Sequence, residues 1–415
     1  MLATGAIWAI CAATTAAVIA RPLRWPEAIW AVLGAALLLV FGLMPVEAAL
    51  GAVGKGLDVY LFLIGMMLLS ETAREQGLFD WVAATAAINA KGSGARLFLL
   101  VYVTGVVTTA LLSNDATAVV LTPAVFAAAK KARAEPLPLL FACALIANAA
   151  SFVLPISNPA NLVLYGGKMP PLGQWFGSFA LPSLAAVLVT YGMLRWAERA
   201  RISGDCTRDV ERDALSTGGK AAFAGIAATA VLLIVMSAFD LPLGLPTGLA
   251  GVAITLGLCA LTRRSPLKLA RSVSWSVLPL VAGLFVLVEA LDRTGVIALV
   301  ASMLHTAAAD PVKGAAAAGT ILAFASNLMN NLPAGLVAST AVTQAHPPRL
   351  IVDALLIGVD LGPNLSVTGS LATILWLQAI RREGEDVGFW RFLKVGVVTM
   401  APALAAALGA RLLIG

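Results

Sequence analysis

The sequence predicts an all-α polytopic membrane protein of two inverted repeats: about ten transmembrane helices, two re-entrant helical hairpins and two broken helices. Three observations predict it. Of 415 residues, 60% are hydrophobic and only 12% charged, with a mean hydropathy of +0.91, a balance foreign to soluble globular domains. Apolar runs of about 20 residues, enough to cross roughly 30 Å of hydrocarbon, alternate with short basic clusters. Polar landmarks of the first half also return, in order, in the second.

The elements follow in order. Leu2–Ala20 has no basic residue before it and Arg21 and Arg24 after it, so it reads as a membrane helix starting outside and not as a cleavable signal. Further crossings are expected at 27–44 and 57–73, the latter ending at Glu71 and Arg74. The apolar block 97–129 carries Ser113, Asn114 and Asp115 near its middle. It fits two short crossings or a hairpin that dips in and returns. The re-entrant hairpin is the expectation, and it puts the polar triplet near the midplane, where non-helical backbone is tolerated only against protein or a watery cavity. A broken helix follows over 136–167, interrupted between Pro155 and Pro159, then a crossing at 172–194. The polar linker 197–220 separates a first repeat, 1–196, from a second, 221–415. The second offers crossings at 221–239, 247–262 and 275–291, a hairpin over 314–345 holding Asn330 and Asn331, a broken helix over 349–380, and a last crossing at 390–413.

Basic residues orient the chain. With the N-terminus outside, only Lys55, Lys168, Arg293, Lys313, Arg349 and Arg411 of the 28 lie outside, and the linker is cytoplasmic, with both termini outside. Charge spread in this way speaks against nucleic-acid binding. Cys11, Cys143, Cys206 and Cys259 are too scattered for a disulfide framework or a zinc site. No GxxxxGK[ST] run is present, so a P-loop ATPase of the chain's own is excluded.

Gly65, Glu71 and Gly77 align with Gly283, Glu289 and Gly295, each pair 218 residues apart. Asn114 then faces Asn331, and PISNPAN at 155–161 faces VTGSLAT at 367–373. One half starts outside and the other inside, so the repeats are inverted, an arrangement that places a transporter's site at the interrupted helices between them.

Four polar interruptions are therefore candidates: Ser113, Asn114 and Asp115; Ser157, Asn158 and Asn161; Asn330 and Asn331; and the stretch from Asp360 through Asn364, Thr368, Gly369 and Ser370 to Thr373. Proline removes a backbone donor and breaks the helix, freeing polar backbone for a ligand. The bland alternative, that these groups only tie helices together, applies equally to Asn148. A carboxylate deep in a membrane costs roughly 2.5–3.5 kcal/mol on insertion scales and marks function by default. Asp115 and Asp360 have no cation nearby in sequence, so both are candidates to load and release a proton, Asp115 first. Glu71 and Glu289 are expected in ion pairs with Arg74 and Arg293, and Asp58 and Asp353 are expected to be solvated.

SNDATAVVLTPAV, LMNNLPAGLVAS, DLGPNLSVTGSLATILWLQAIRREG and FWRFLKVG together resemble the arsenite efflux permeases of the ArsB type, within the ion transporter superfamily. The likeness spans nearly the whole chain. It implies a scaffold part and a transport part in each repeat, hairpin tips at Asn114 and Asn331, and helix breaks at Ser157–Asn158 and Gly369–Ser370. It also implies export of arsenite and antimonite in exchange for protons across a bacterial inner membrane, alone or with a soluble ATPase subunit, and no cofactor. Trivalent arsenic favours soft thiolates, yet only Cys143 lies near a candidate site and it reads as a packing residue. Arsenious acid is neutral at pH 7 and carries three hydroxyls, so a site of oxygens and nitrogens suits reversible binding, with no permanent metal. The rival is a sodium/proton antiporter of the NhaD type. An organic-anion carrier would need positive charge that the four clusters lack, and His305 and His346 are too isolated to suggest an enzyme.

Overall fold

The computed structural model describes residues 2–166, 169–202, 204–207 and 212–415, without the side chain of Arg24. Lys168 and Arg208, two of the loop charges, and part of the linker lie outside the described residues. The first half runs α1 (Leu2–Ala20), α2 (Glu27–Val40), α3 (Val46–Lys55), α4 (Leu57–Glu75), α5 (Leu78–Asn89), α6 (Gly94–Leu111), α7 (Thr122–Lys131), α8 (Pro136–Ala149), α9 (Pro159–Tyr165) and α10 (Leu172–Ala197). The second runs α11 (Thr217–Ala238), α12 (Gly244–Thr262), α13 (Pro266–Ser272), α14 (Val277–Asp292), α15 (Val296–Ala307), α16 (Pro311–Met329), α17 (Asn331–Ala345), α18 (Arg349–Leu361), α19 (Leu371–Arg382) and α20 (Phe389–Ile414). No strand occurs among the described residues, so the protein is all-α.

Among the described residues, seven helices are long and apolar enough to cross a membrane, or nine if each bent pair is one span. Ten were expected. Two of the seven, α6 and α16, belong to the blocks expected as hairpins, while the crossings expected at 27–44, 136–167 and 349–380 are made of shorter helices, α2 stopping at Val40 before Gly42 at φ 63° and Pro45. Two helices that hydropathy passed over, α5 and α15, begin after Gly77 at φ 72° and Gly295 at φ 84°. An L side chain resists that left-handed turn, which glycine enters freely. The bends also recur: α3 meets α4 at 50°, and α13 meets α14 at 46°.

Close crossings fix the packing. A Cβ on Gly65 of α4 would overlap the Thr247 carbonyl of α12, and one on Gly358 of α18 would overlap the Gly319 carbonyl of α16. Small residues of this kind let membrane helices approach backbone to backbone. α10 packs along α20, and each carries an internal proline, Pro182 and Pro402. α8 is buried on every side from Leu137 to Ala149, so the first broken helix passes through the molecule's core. The linker laces over the ends of α5, α6 and α7: Cys206 N–H donates to Gly92 O (3.0 Å) and Thr207 N–H to Ala132 O (2.8 Å).

Asp353, expected to be solvated, is instead wholly buried. Arg411 of α20 donates to its Oδ2 from Nε (3.0 Å) and Nη2 (2.8 Å), and the Tyr165 hydroxyl donates to Oδ1 at 2.8 Å. The charge is carried inside because its partner comes from a helix 58 residues further on, which local sequence does not reveal. Glu71 pairs with Arg74, and Glu289 with Lys55 (2.7 Å) and Arg293 (3.4 Å). Asp58 is partly buried and accepts the Gly244 N–H at 2.9 Å.

Candidate functional site

All four polar interruptions are places where the α-helix stops, and their side chains largely complete those stops. Between α6 and α7 the helix ends at Leu111, Ser113 is extended, and its Oγ accepts the Ala116 N–H at 3.2 Å. The Asn114 carboxamide oxygen accepts the Asp115 N–H at 2.9 Å. A π-helical stretch, Thr117–Leu121, follows, with the Thr109 and Thr117 hydroxyls 2.8 Å apart. Between α16 and α17, Asn330 adopts φ 73° and ψ 152° and caps α17 through the Leu332 N–H at 3.3 Å. That backbone region is nearly glycine's own and costs about 1–3 kcal/mol elsewhere.

The broken helices are built alike. Before α9, Pro155–Ser157 forms a single 3-10 turn and Asn158 caps α9 by accepting the Ala160 N–H at 3.0 Å. Ser157 donates to the Ala110 carbonyl at 3.2 Å, fixing this break to α6. Asn161 donates back to Ser151 O at 2.9 Å. After α18, a 3-10 turn over Gly362–Leu365 leads to Ser370, which forms a capping box with Thr373 at the start of α19. Asn148 joins the two breaks: its Nδ2 donates to Asn364 Oδ1 at 3.0 Å and its Oδ1 accepts from Ser370 Oγ at 3.2 Å. It is glue here. Asn364, Thr368 and Thr373 likewise spend their groups on neighbouring backbone or side chains, whereas Asn161 uses only its Nδ2, its buried Oδ1 having no partner among the described residues.

The first hairpin tip, both broken helices and the second tip meet at one small pocket of about 10 Å³. Asn114, Asp115, Asn158 and Asn331 line it, with Pro159, Leu332, Leu371 and Ala372, and with Leu63 of α4 and Val277 of α14. Asn331 is anchored there by its N–H to the Gly369 carbonyl at 2.9 Å, while its buried Oδ1 has no partner among the described residues. Asp115, Pro159, Leu63, Val277 and Leu371 also line a cavity of about 750 Å³, with Ser113 and, toward the mouth, Arg21, Arg74 and Arg382. Ser157, Asn330, Gly369 and Ser370 support the pocket without lining it.

Asp360 stands one step behind. It is 0% exposed; Asn158 Nδ2 donates to its Oδ1 at 2.7 Å, and its Oδ2 has no partner. Cys143, 1% exposed on α8, lines neither space. Among the described residues no three His, Cys, Asp or Glu side chains converge as a metal site would need. Sequence reasoning missed Asn327. Its Nδ2 donates to Gly362 O (3.0 Å) and its Oδ1 accepts from Ser366 Oγ (2.8 Å), tying α16 to the second break. Its position three residues before Asn330 was the available signal. Leu63 and Val277 carried no signal at all, being ordinary apolar residues.

A family model described as a citrate transporter, CitMHS, matches residues 10–361. The chain is 29% identical to an arsenical pump membrane protein of Yersinia enterocolitica, over 84% of each chain, and 28% identical to one of Escherichia coli K12, over 99% of this chain and 98% of the other. It is also 29% identical to an uncharacterised transporter of Mycobacterium tuberculosis, over 84% of each. Among solved structures, the Alcanivorax borkumensis YdaH transporter superposes with a TM-score of 0.56 at 15% identity, over 88% of this chain and 86% of that one. The Neisseria gonorrhoeae MtrF, described as an antimetabolite efflux pump, gives 0.52 at 11%, over 88% and 83%. These two likenesses concern the fold alone.

Proposed function

The chain belongs to the family of the citrate transporter model, within the ion transporter superfamily, and from that membership we propose that it exports arsenite and antimonite in exchange for protons by alternating access. As a multi-pass membrane transporter it has arsenical pumps among its relatives. The observation that carries the finer reading is the small pocket. Its acceptors are the Asp115 carboxylate and the unpartnered Asn331 Oδ1, and no basic side chain lines it. A neutral acid with three hydroxyls supplies donors to those acceptors. A multiply charged anion such as citrate would meet a carboxylate and no cation, so we place the substrate among neutral hydroxylic species despite the family model's description.

In this reading the halves are inverted repeats. Arg21 and the helix-end residues Arg74 and Arg382 line the cavity, and their charge assigns that end to the cytoplasm, so the cavity is the entry from inside. Asp115, half-buried between cavity and pocket and without a charged partner, exchanges a proton for the substrate. Asp360 communicates with it only through Asn158.

Everted membrane vesicles test this. Arsenite accumulation driven by an acid interior should fall by about tenfold or more in Asp115→Asn, with the protein still present and monodisperse. Asp360→Asn, whose amide keeps the Asn158 contact, should slow turnover and leave coupling in place. Unchanged coupling in Asp115→Asn removes that residue from the mechanism. The sodium/proton reading has one supporting observation: the free oxygens of Asn331 and Asp360 also suit a hard cation. Sodium-driven proton movement without arsenite uptake in the same vesicles would establish it instead.

A further inference from the structure

Away from the pocket and the large cavity, a separate void of about 50 Å³ is lined by Asp58, Leu162, Tyr165, Met169, Asp240 and Pro242, with Leu241 and Leu243 completing it. It lies at the opposite end of α9 from the transport pocket. Pro159, at the start of α9, lines the pocket and the cavity, whereas Leu162 and Tyr165, three and six residues further on, line the void. Leu162 lies three residues beyond Pro159, so at 1.5 Å per residue about one helical turn separates the transport pocket from this void. On its other side the void is walled by α4, through Asp58, and by the connection from α11 to α12, through Asp240 and Pro242.

Tyr165 is held from behind. Its hydroxyl donates to Asp353 Oδ1 at 2.8 Å, the other carboxylate oxygen is occupied by Arg411, and Trp175 of α10 lies 6.1 Å away, ring centre to ring centre. Asp353 is 0% and Arg411 4% exposed. A buried pair broken at one partner leaves an uncompensated charge and is strongly destabilised, so α9, α18 and α20 are fastened together at this end. Arg349 extends the fastening: it reaches Asp353 at 3.6 Å and Gln174 of α10 at 2.6 Å. The tyrosine ring is thus fixed to the broken-helix body and set against α4 and the α11–α12 connection.

We propose that Tyr165, fixed by the buried Asp353–Arg411 pair, is the outer seal of the translocation path. The pocket shares Asp115, Pro159, Leu63, Val277 and Leu371 with the large cavity, and Leu162 and Tyr165 lie beyond it along α9. Release then requires α9, carrying Tyr165, to move relative to α4. The positioning pair Asp353–Arg411 makes this a movement of α9, α18 and α20 together, with the tyrosine as part of a rigid face. The inference rests on the transport reading of the pocket for its direction, but not on the identity of the cargo.

A single reporter cysteine, Leu162→Cys, tests the seal in the full-length protein, after showing that the four buried native cysteines do not react. Intact cells are treated with a membrane-impermeant maleimide. With Tyr165 present, labelling should be slow; with Tyr165→Ala it should accelerate by about tenfold, as the closed population is lost. Tyr165→Phe, which keeps the ring and loses the Asp353 bond, should give an intermediate rate. A second reporter, Val119→Cys in the cytoplasmic cavity, labelled in everted vesicles, should keep its rate in all three backgrounds. An unchanged Leu162→Cys rate in Tyr165→Ala overturns the proposal, and so does equal acceleration of both reporters, which signals general loosening. If the labelling behaves as expected and arsenite is not exported, the substrate reading fails and the seal stands.

Discussion

Asp115 and Asp360 bear the same carboxyl group, and their surroundings divide their work. Asp115 borders a cavity large enough for water and makes no ion pair among the described residues, so solvent has access to it. Asp360 is enclosed and touches the pocket only through the Asn158 amide. Both stood out in the sequence as acids in apolar runs; the order of access did not, because it depends on side chains about 200 residues away. Cys143 supplies the complementary case. It is the one thiol near the interruptions, yet it is packed inside α8, which is buried all round. Cys143→Ser should therefore retain arsenite resistance in cells lacking their own pumps, at a stability cost of about 1 kcal/mol for the buried hydroxyl, which can bond back along its own helix. Loss of resistance with normal membrane levels of the variant would show that a thiol ligates the cargo.

At the scale of elements, the helix breaks were legible because proline, glycine and clustered amides leave a signature in one stretch of chain. Pro155 and Pro159 flank the first break, and Gly362, Pro363 and Gly369 mark the second. The contacts that turn breaks into a site were not legible: Asn331 N–H to Gly369 O, and Asn148 bridging Asn364 and Ser370, join segments that only folding brings together. The α16–α18 crossing shows how tightly this is held. Gly358→Ala places a Cβ against the Gly319 carbonyl with no flexible side chain to yield. Overpacking there should cost about 1–3 kcal/mol and lower the melting temperature in detergent, with the second break displaced and transport impaired. Gly173→Ala, at a glycine with open space around it, should leave both unchanged. Equal melting temperatures for the two variants would mean that the crossing relaxes freely and does not set the break's position.

At the scale of the molecule, among the described residues and leaving aside the short helices Asn114–Ala116 and Arg199–Ile202, ten helices of the first half are followed by ten of the second in the same order, with kinks, breaks and proline-bearing last helices in matching places. Hydropathy alone recovered most of the long helices and missed α5 and α15, which are 12 residues each and too short to register as crossings. Whether the second half is inverted is a question about sides, and the proposed orientation rests on the excess of basic residues on the loops of one face, which favours the cytoplasm for those loops. The seal at Tyr165 and the open cavity near Arg21 and Arg382 take their directions from the same assignment. Alkaline phosphatase fused after Gly415 should then be active, and the same enzyme fused within the linker after Leu215 should be inactive; a fluorescent protein that folds only in the cytoplasm should give the reverse pattern. An odd number of crossings between the linker and the C-terminus is required for that result, so it bears on the hairpins too. If the block from α16 to α17 crossed the membrane once rather than returning, the fusion after Gly415 would report the cytoplasmic side. The second half would still start inside, but the helices after the block would run in the same direction as their first-half counterparts, and the Asn114 and Asn331 tips would no longer approach the pocket from opposite faces of the membrane.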